Sequence, residues 1–244
     1  MDYLYKNTKI YYEFANGKSL SPIILLHGWG VDSSIFDQLI SAFPEKVFLK
    51  IDFPPFGKSE KDPKDWNIFT YVSLVMSLCE HLNIDKADFV GHSFGGRIAI
   101  ILSAVKCSLV HSCILVDSAG MKPKRTIKYM INLSKFKLAK KFGKDVSSFG
   151  SRDYLKLSPE MKKTFVSIVK THLEEYAKII NSKTLIVWGK NDKETPLYMA
   201  KRLNKLIKNS TLEVIDSASH FPFLESKLEF YKIVNEFWED LWFS

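Results

Sequence analysis

The chain has 244 residues, enough for one large α/β domain and cramped for two. Hydrophobic residues are 46% and charged residues 25%, which argues against disorder, and no run of about 18 apolar residues could span a bilayer. Lys and Arg number 35 against 27 Asp and Glu, a net charge of +8. Such a surplus leaves nucleic acid, anionic membrane and acidic partners all open until it is located.

The start, Met1-Asp2-Tyr3-Leu4-Tyr5-Lys6, has no basic stretch leading into an apolar one, so no secretory signal is expected. Cys79, Cys107 and Cys113 sit among apolar neighbours without metal-ligand spacing. They are expected as buried thiols in a reducing cytoplasm, and no metal or cofactor motif appears.

In chain order, Tyr3–Tyr5 and Lys9–Phe14 flank an Asn7-Thr8 turn and read as a hairpin. Short apolar runs follow at Pro22–Leu26, Val47–Ile51, Ala87–Val90, Cys113–Val116, Thr184–Trp188 and Leu212–Ile215. Most look like strands buried on both faces, as in a parallel sheet. Helical spacing separates them: Phe36 to Phe43 after Asp32 and Ser33, then Tyr71–Leu82, Gly96–Ala104, Pro196–Lys208 and Glu225–Trp242. Strands alternating with helices predict an α/β fold, a mostly parallel sheet flanked by helices. The alternation lapses once. Residues 121–180 show helical spacing only, with Ser158-Pro159-Glu160 as a helix start, and read as an inserted helical cap on a core of 1–120 and 181–244.

The sharpest motif is Gly91-His92-Ser93-Phe94-Gly95-Gly96, between an apolar strand and the apolar helix Arg97-Ile98-Ala99-Ile100-Ile101-Leu102. Strand, tight turn and helix are the setting the G-x-S-x-G pattern requires. Gly91 and Gly95 leave room for the turn, Ser93 Oγ stands clear as a nucleophile, and the Phe94 N–H opens a helix. A serine nucleophile needs a base and an orienting acid. His220 alone of the six histidines lies in a loop after the last strand. Asp192, after Thr184–Trp188, is the favoured acid from the chain order Ser, Asp, His; Glu194 is a poor second. Asp117, also at a strand end, is the rival, with loop-amide bonding as its structural role. His27-Gly28-Trp29-Gly30 follows an early strand, where the Trp29 N–H could donate to an oxyanion. Trp29, Phe94 and Phe221 are the expected pocket-lining side chains.

These pieces, with Asp52-Phe53-Pro54-Pro55-Phe56-Gly57-Lys58-Ser59 and Ser219-His220, resemble the α/β-hydrolase superfamily from about Tyr11 to the C-terminus. Pro55 and Ser219 stand where that family often has glycine. The resemblance implies Ser93 as nucleophile, His220 as base, Asp192 as acid, and the Trp29 and Phe94 amides as oxyanion donors. It implies a small-molecule ester or thioester substrate. Carbon–carbon bond hydrolysis, a cofactor-free lyase or perhydrolase, and a ligand-binding receptor remain the alternatives on this fold.

The charge then finds a place. Residues 121–180 carry +10 and the rest of the chain −2. The surplus therefore belongs to the expected cap, as a solvated face or as a guide for an anionic substrate or an acidic carrier protein. The layout is similar to that of esterases acting on the pimeloyl methyl ester of a carrier protein. Neither nucleic acid nor membrane is expected as a partner.

Overall fold

The computed structural model describes residues 1–60, 65–124, 134, 152–155 and 157–242. A single sheet runs β1-β2-β4-β3-β5-β6-β7-β8. Its strands are β1 (Asp2–Tyr5), β2 (Thr8–Ala15), β3 (Ile23–Leu26), β4 (Phe48–Ile51), β5 (Ala87–His92), β6 (Val110–Val116), β7 (Lys183–Gly189) and β8 (Ser210–Ile215). The hairpin β1–β2 is antiparallel and β2 joins β4 antiparallel; the other pairings are parallel. The expected mostly parallel sheet is therefore present, with an antiparallel edge.

The apolar runs divide by parity between two cores, because successive side chains on a strand face opposite ways. Ile24, Leu26, Phe89, Leu115, Ile186 and Trp188 join one cluster. Ile23, Leu25, Val90, Ile114, Leu185 and Val187 join the other. Strand β8 is the exception: it lies at the sheet edge and is only half buried.

The helices differ from the sequence reading mainly at their ends. The first begins as a 3-10 turn, Ser33–Phe36, whose Asp32 cap accepts from Ser34 N, and continues as α1 (Asp37–Ala42). Helix α2 (Ile68–His81) starts one turn earlier than its apolar spacing predicts, because the Asn67 side chain accepts from the amides of Phe69 and Thr70. Helix α3 (Phe94–Val105) follows the serine turn directly. Cys107, just beyond α3, is exposed, while Cys79 and Cys113 are buried; all three are free thiols. A turn that leaves the core carries Cys107 to the surface despite its apolar neighbours.

Much of the expected cap, residues 125–133, 135–151 and 156, lies outside the described residues. The elements described in full between 121 and 180 are helices: α4 (Arg152–Leu155), α5 (Pro159–Lys170) and α6 (Glu174–Lys178). The Ser158 side chain caps α5 through Met161 N at 3.3 Å, as the sequence predicts. The continuous helical spacing expected through Ile180 breaks at Thr171, where the backbone turns extended. Leu173 N then donates to Gly120 O at 3.0 Å, which pins the segment to the loop after β6. Helices α7 (Tyr198–Leu206), α8 (Pro222–Glu225) and α9 (Lys227–Trp242) complete the described chain; a four-residue helix, α8, precedes the predicted C-terminal one. Among the described residues, no helix is long and apolar enough to cross a membrane.

Candidate active site

Ser93 stands between β5 and α3 with φ 49° and ψ −105°, a conformation rare for a residue with a side chain. Two backbone bonds hold it: Ser93 N donates to Val116 O and Ala119 N donates to Ser93 O, each at 3.0 Å. The glycines around it are sterically required. A Cβ on Gly91 would come within 2.8 Å of Gly95 O, and a Cβ on Gly95 would run into the Leu26 carbonyl. Phe94 is the first residue of α3, so its amide is one of the unpaired donors of a helix N-terminus.

The loop after β3 approaches the same point. A Cβ on Gly28 would lie 2.7 Å from His92 Nδ1 and 3.5 Å from Ser93 Cβ. His27 fixes this loop. Its Nδ1 lies 2.7 Å from Gly28 O and must donate to it, so Nε2 accepts from Phe53 N at 2.8 Å. Burial keeps this imidazole neutral by holding its pKa down.

His220 Nδ1 donates to Asp192 Oδ2 at 2.8 Å. Asp192 Oδ1 accepts from the amides of Glu194 (2.7 Å) and Thr195 (3.0 Å), and Thr195 Oγ1 lies 2.6 Å from Oδ2. Burial pushes the Asp192 carboxyl up, but hydrogen bonds from His220, Asp117 and Thr195 outweigh it and hold the pKa low. Asp117 stands behind Asp192. It is fully buried, has φ 41°, and accepts from Gly189 N at 3.1 Å. Burial, then the facing Asp192 carboxylate, pushes its pKa far above the usual carboxyl range. Asp117 is therefore protonated at neutral pH and donates to Asp192. Oxygens of both acids and a His220 nitrogen lie within 4.8 Å of one another, a group with the atom types of a metal site among the described residues. His220 and protonated Asp117 both donate to Asp192, so the group is a hydrogen-bonded chain.

His220 Nε2 lies 3.3 Å from Glu194 Oε2, its polar partner among the described residues. The loop's two acids thus address opposite ring nitrogens. Ser93 Oγ is not hydrogen-bonded to Nε2 in this resting arrangement, as is common before substrate binds. The two residues are nonetheless held side by side. His92, adjacent to Ser93, donates from Nε2 to His220 O at 2.8 Å, and the two imidazoles are 4.9 Å apart. The His220 loop is also tied to itself. Glu225 accepts from Ser219 N (2.6 Å), Ser219 Oγ (2.7 Å) and Phe221 N (3.1 Å). The serine found in place of glycine before the histidine thus adds a bond.

A cavity of about 590 Å³ opens beside Ser93, walled by Trp29, Phe94, Phe165, Met199 and Arg97 among others. The Trp29 ring meets Phe94 and Phe165 edge-on, each at 5.3 Å. Trp29 and Phe94 thus line the cavity together. Phe221 is not on this cavity: its ring packs against His92 (4.8 Å) and His220 (5.3 Å), because Pro222 and α8 turn it inward. Arg97 went unnoticed in the sequence, although a lone cation opening an apolar helix was the available signal.

Residues 23–233 match the model of the alpha/beta hydrolase family. The chain is 27% identical over 242 residues to the uncharacterized hydrolase YugF of Bacillus subtilis, covering 86% of this chain and 87% of that one. It is 26% identical over 254 residues to a putative esterase/lipase 2 of Mycoplasma genitalium, covering 94% and 93%. Among solved structures, the meta-cleavage product hydrolase of Pseudomonas fluorescens IP01 superposes with a TM-score of 0.75 at 22% identity, covering 98% and 97%. With strand, turn and helix set around Ser93 as described, the chain belongs to the alpha/beta hydrolase family.

Proposed function

We propose that the chain is a serine hydrolase acting on carboxylic esters or thioesters through an acyl-enzyme on Ser93. The carrying observation is the strained Ser93 turn held beside the Asp192–His220 pair at the mouth of an apolar cavity. His220 takes the Ser93 proton as Oγ attacks the carbonyl, and Asp192 holds the imidazole in the Nδ1–H tautomer. The Trp29 and Phe94 amides receive the oxyanion, a kind of contact whose loss costs about 10²–10³ in rate. His220 then protonates the leaving group, and water releases the acid.

Residues 121–180 act in this reading as a cap. Their +10 charge would draw an anionic substrate or an acidic carrier toward the cavity, an attraction that salt weakens. Free thiols suit a reducing cytoplasm. A fluorophosphonate probe is expected to label the native protein and not Ser93→Ala. Absence of labelling in folded protein would remove the reading and favour a receptor. Turnover of p-nitrophenyl esters of graded chain length separates an esterase from a lyase, perhydrolase or carbon–carbon hydrolase.

A further inference from the structure

We propose that Arg97 is an anion-binding subsite, so that the substrate carries a carboxylate a few bonds from the carbonyl attacked by Ser93. This rests on the hydrolase reading and adds the substrate class. Arg97 walls the same cavity as Ser93 and is only 7% exposed. A guanidinium has five N–H donors. Nη1 uses its two on the carbonyls of Ile168 (3.0 Å) and Thr171 (2.8 Å), at the end of α5. The three on Nε and Nη2 have no partner among the described residues. Neither Nε nor Nη2 is among the enclosed, unpartnered polar atoms of the described residues, which belong to Trp29, His92, Ser103, Ser182, Tyr231 and Trp238. For a side chain this buried, the open space is the cavity.

No carboxylate among the described residues forms an ion pair with Arg97. Glu174, the acid that acts on it electrostatically, is bonded to Arg202 at 3.2 Å and to Lys122 N at 2.8 Å. Lys193 and Glu194 are the other charged groups on the cavity wall, and both are exposed at its mouth. Burial brings the Arg97 pKa down to about 10, which leaves it cationic at neutral pH. A buried cation whose Nε and Nη2 have no partner among the described residues, in an otherwise largely apolar wall, is suited to a carboxylate, which a guanidinium binds by two parallel bonds. Arg97 lies four residues beyond Ser93, an advance of about 6 Å along a helix. A half-ester of a short dicarboxylic acid would set its carboxylate at Arg97 while Ser93 attacks its ester carbonyl. A purely structural role, holding α5 to α3, predicts no such selectivity.

The test compares kcat/KM for p-nitrophenyl hydrogen glutarate with that for neutral p-nitrophenyl pentanoate. The native protein is expected to favour the acid ester, and Arg97→Gln to lower the ratio about tenfold or more. Arg97→Lys, which keeps the charge, should retain part of the preference. No preference in the native protein, or an unchanged ratio in a folded Arg97→Gln, overturns the proposal. Calorimetry of glutarate with Ser93→Ala tests the subsite without chemistry: Arg97-dependent binding supports it and absence of binding overturns it. Glutarate binding without ester turnover would keep the subsite and remove the hydrolase. Ester turnover with neither selectivity nor binding would do the reverse.

Discussion

Asp117 and Asp192 follow neighbouring parallel strands, β6 and β7, and their carboxyl groups meet beside His220 with opposite protonation. Asp192 receives hydrogen bonds from two amides, a hydroxyl and an imidazole, and stays ionised. Asp117 receives one amide from Gly189, is sealed from solvent and faces another carboxylate, so it keeps its proton. The difference lies in the number of donors each strand end supplies, since the residue type is the same. One acid can then orient the histidine while the other positions the first.

The strongest way to break this comparison is Asp192→Asn. It removes the charge and presents the wrong tautomer to His220, so kcat should fall on the order of 10⁴-fold. A drop no greater than that of an equivalent Asp117 variant would mean the roles are misassigned. Asp117 itself sharpens the comparison through a pair of variants. Asn can accept from Gly189 and donate to Asp192 as the protonated acid does, so Asp117→Asn should stay within about threefold of native kcat/KM. Asp117→Leu removes both bonds and should lose about ten- to hundredfold. Equal losses in the two variants would remove the donor role.

The same contrast reads out in stability. Asp117 has a folded pKa above its unfolded one, so its contribution is full below the unfolded value near 4 and is lost as pH rises. Asp117→Asn should therefore flatten the decline in Tm between pH 5 and pH 8. His92 has the opposite sign: burial lowers its pKa to about 3, so stability present above about 6.5 is lost on acidification. Its share is about 1.4 kcal/mol per pH unit between those values, and denaturant melts of His92→Gln should show a shallower acid slope. The smallest effect is expected at Glu194, whose side chain is 65% exposed. Glu194→Gln should change kcat/KM for a neutral ester by less than about threefold, because a solvated ion pair contributes little.

What the sequence made legible was local. Ser93, its glycines, His27-Gly28-Trp29-Gly30 and the strand runs announce themselves by spacing within a few residues. His220 and Asp192 followed from chain order, and their 2.8 Å bond supports that pairing. Groups that matter through distant neighbours stayed hidden. The proton on Asp117 depends on Asp192, 75 positions away, and Arg97 is poised by carbonyls more than 70 residues further on. Phe221 read as a pocket residue because sequence shows that a ring follows the histidine, but not which way α8 turns it. Asn67 was missed because its partner three residues on is Thr70 rather than Glu or Gln.

The knot that Glu225 ties around Ser219 and Phe221 has a consequence beyond geometry. It closes within seven residues, from Ser219 to Glu225. His220 thus sits in a loop held by bonds of its own. None of these bonds involves a residue between β6 and β7. In that sense the histidine loop is a self-contained mount.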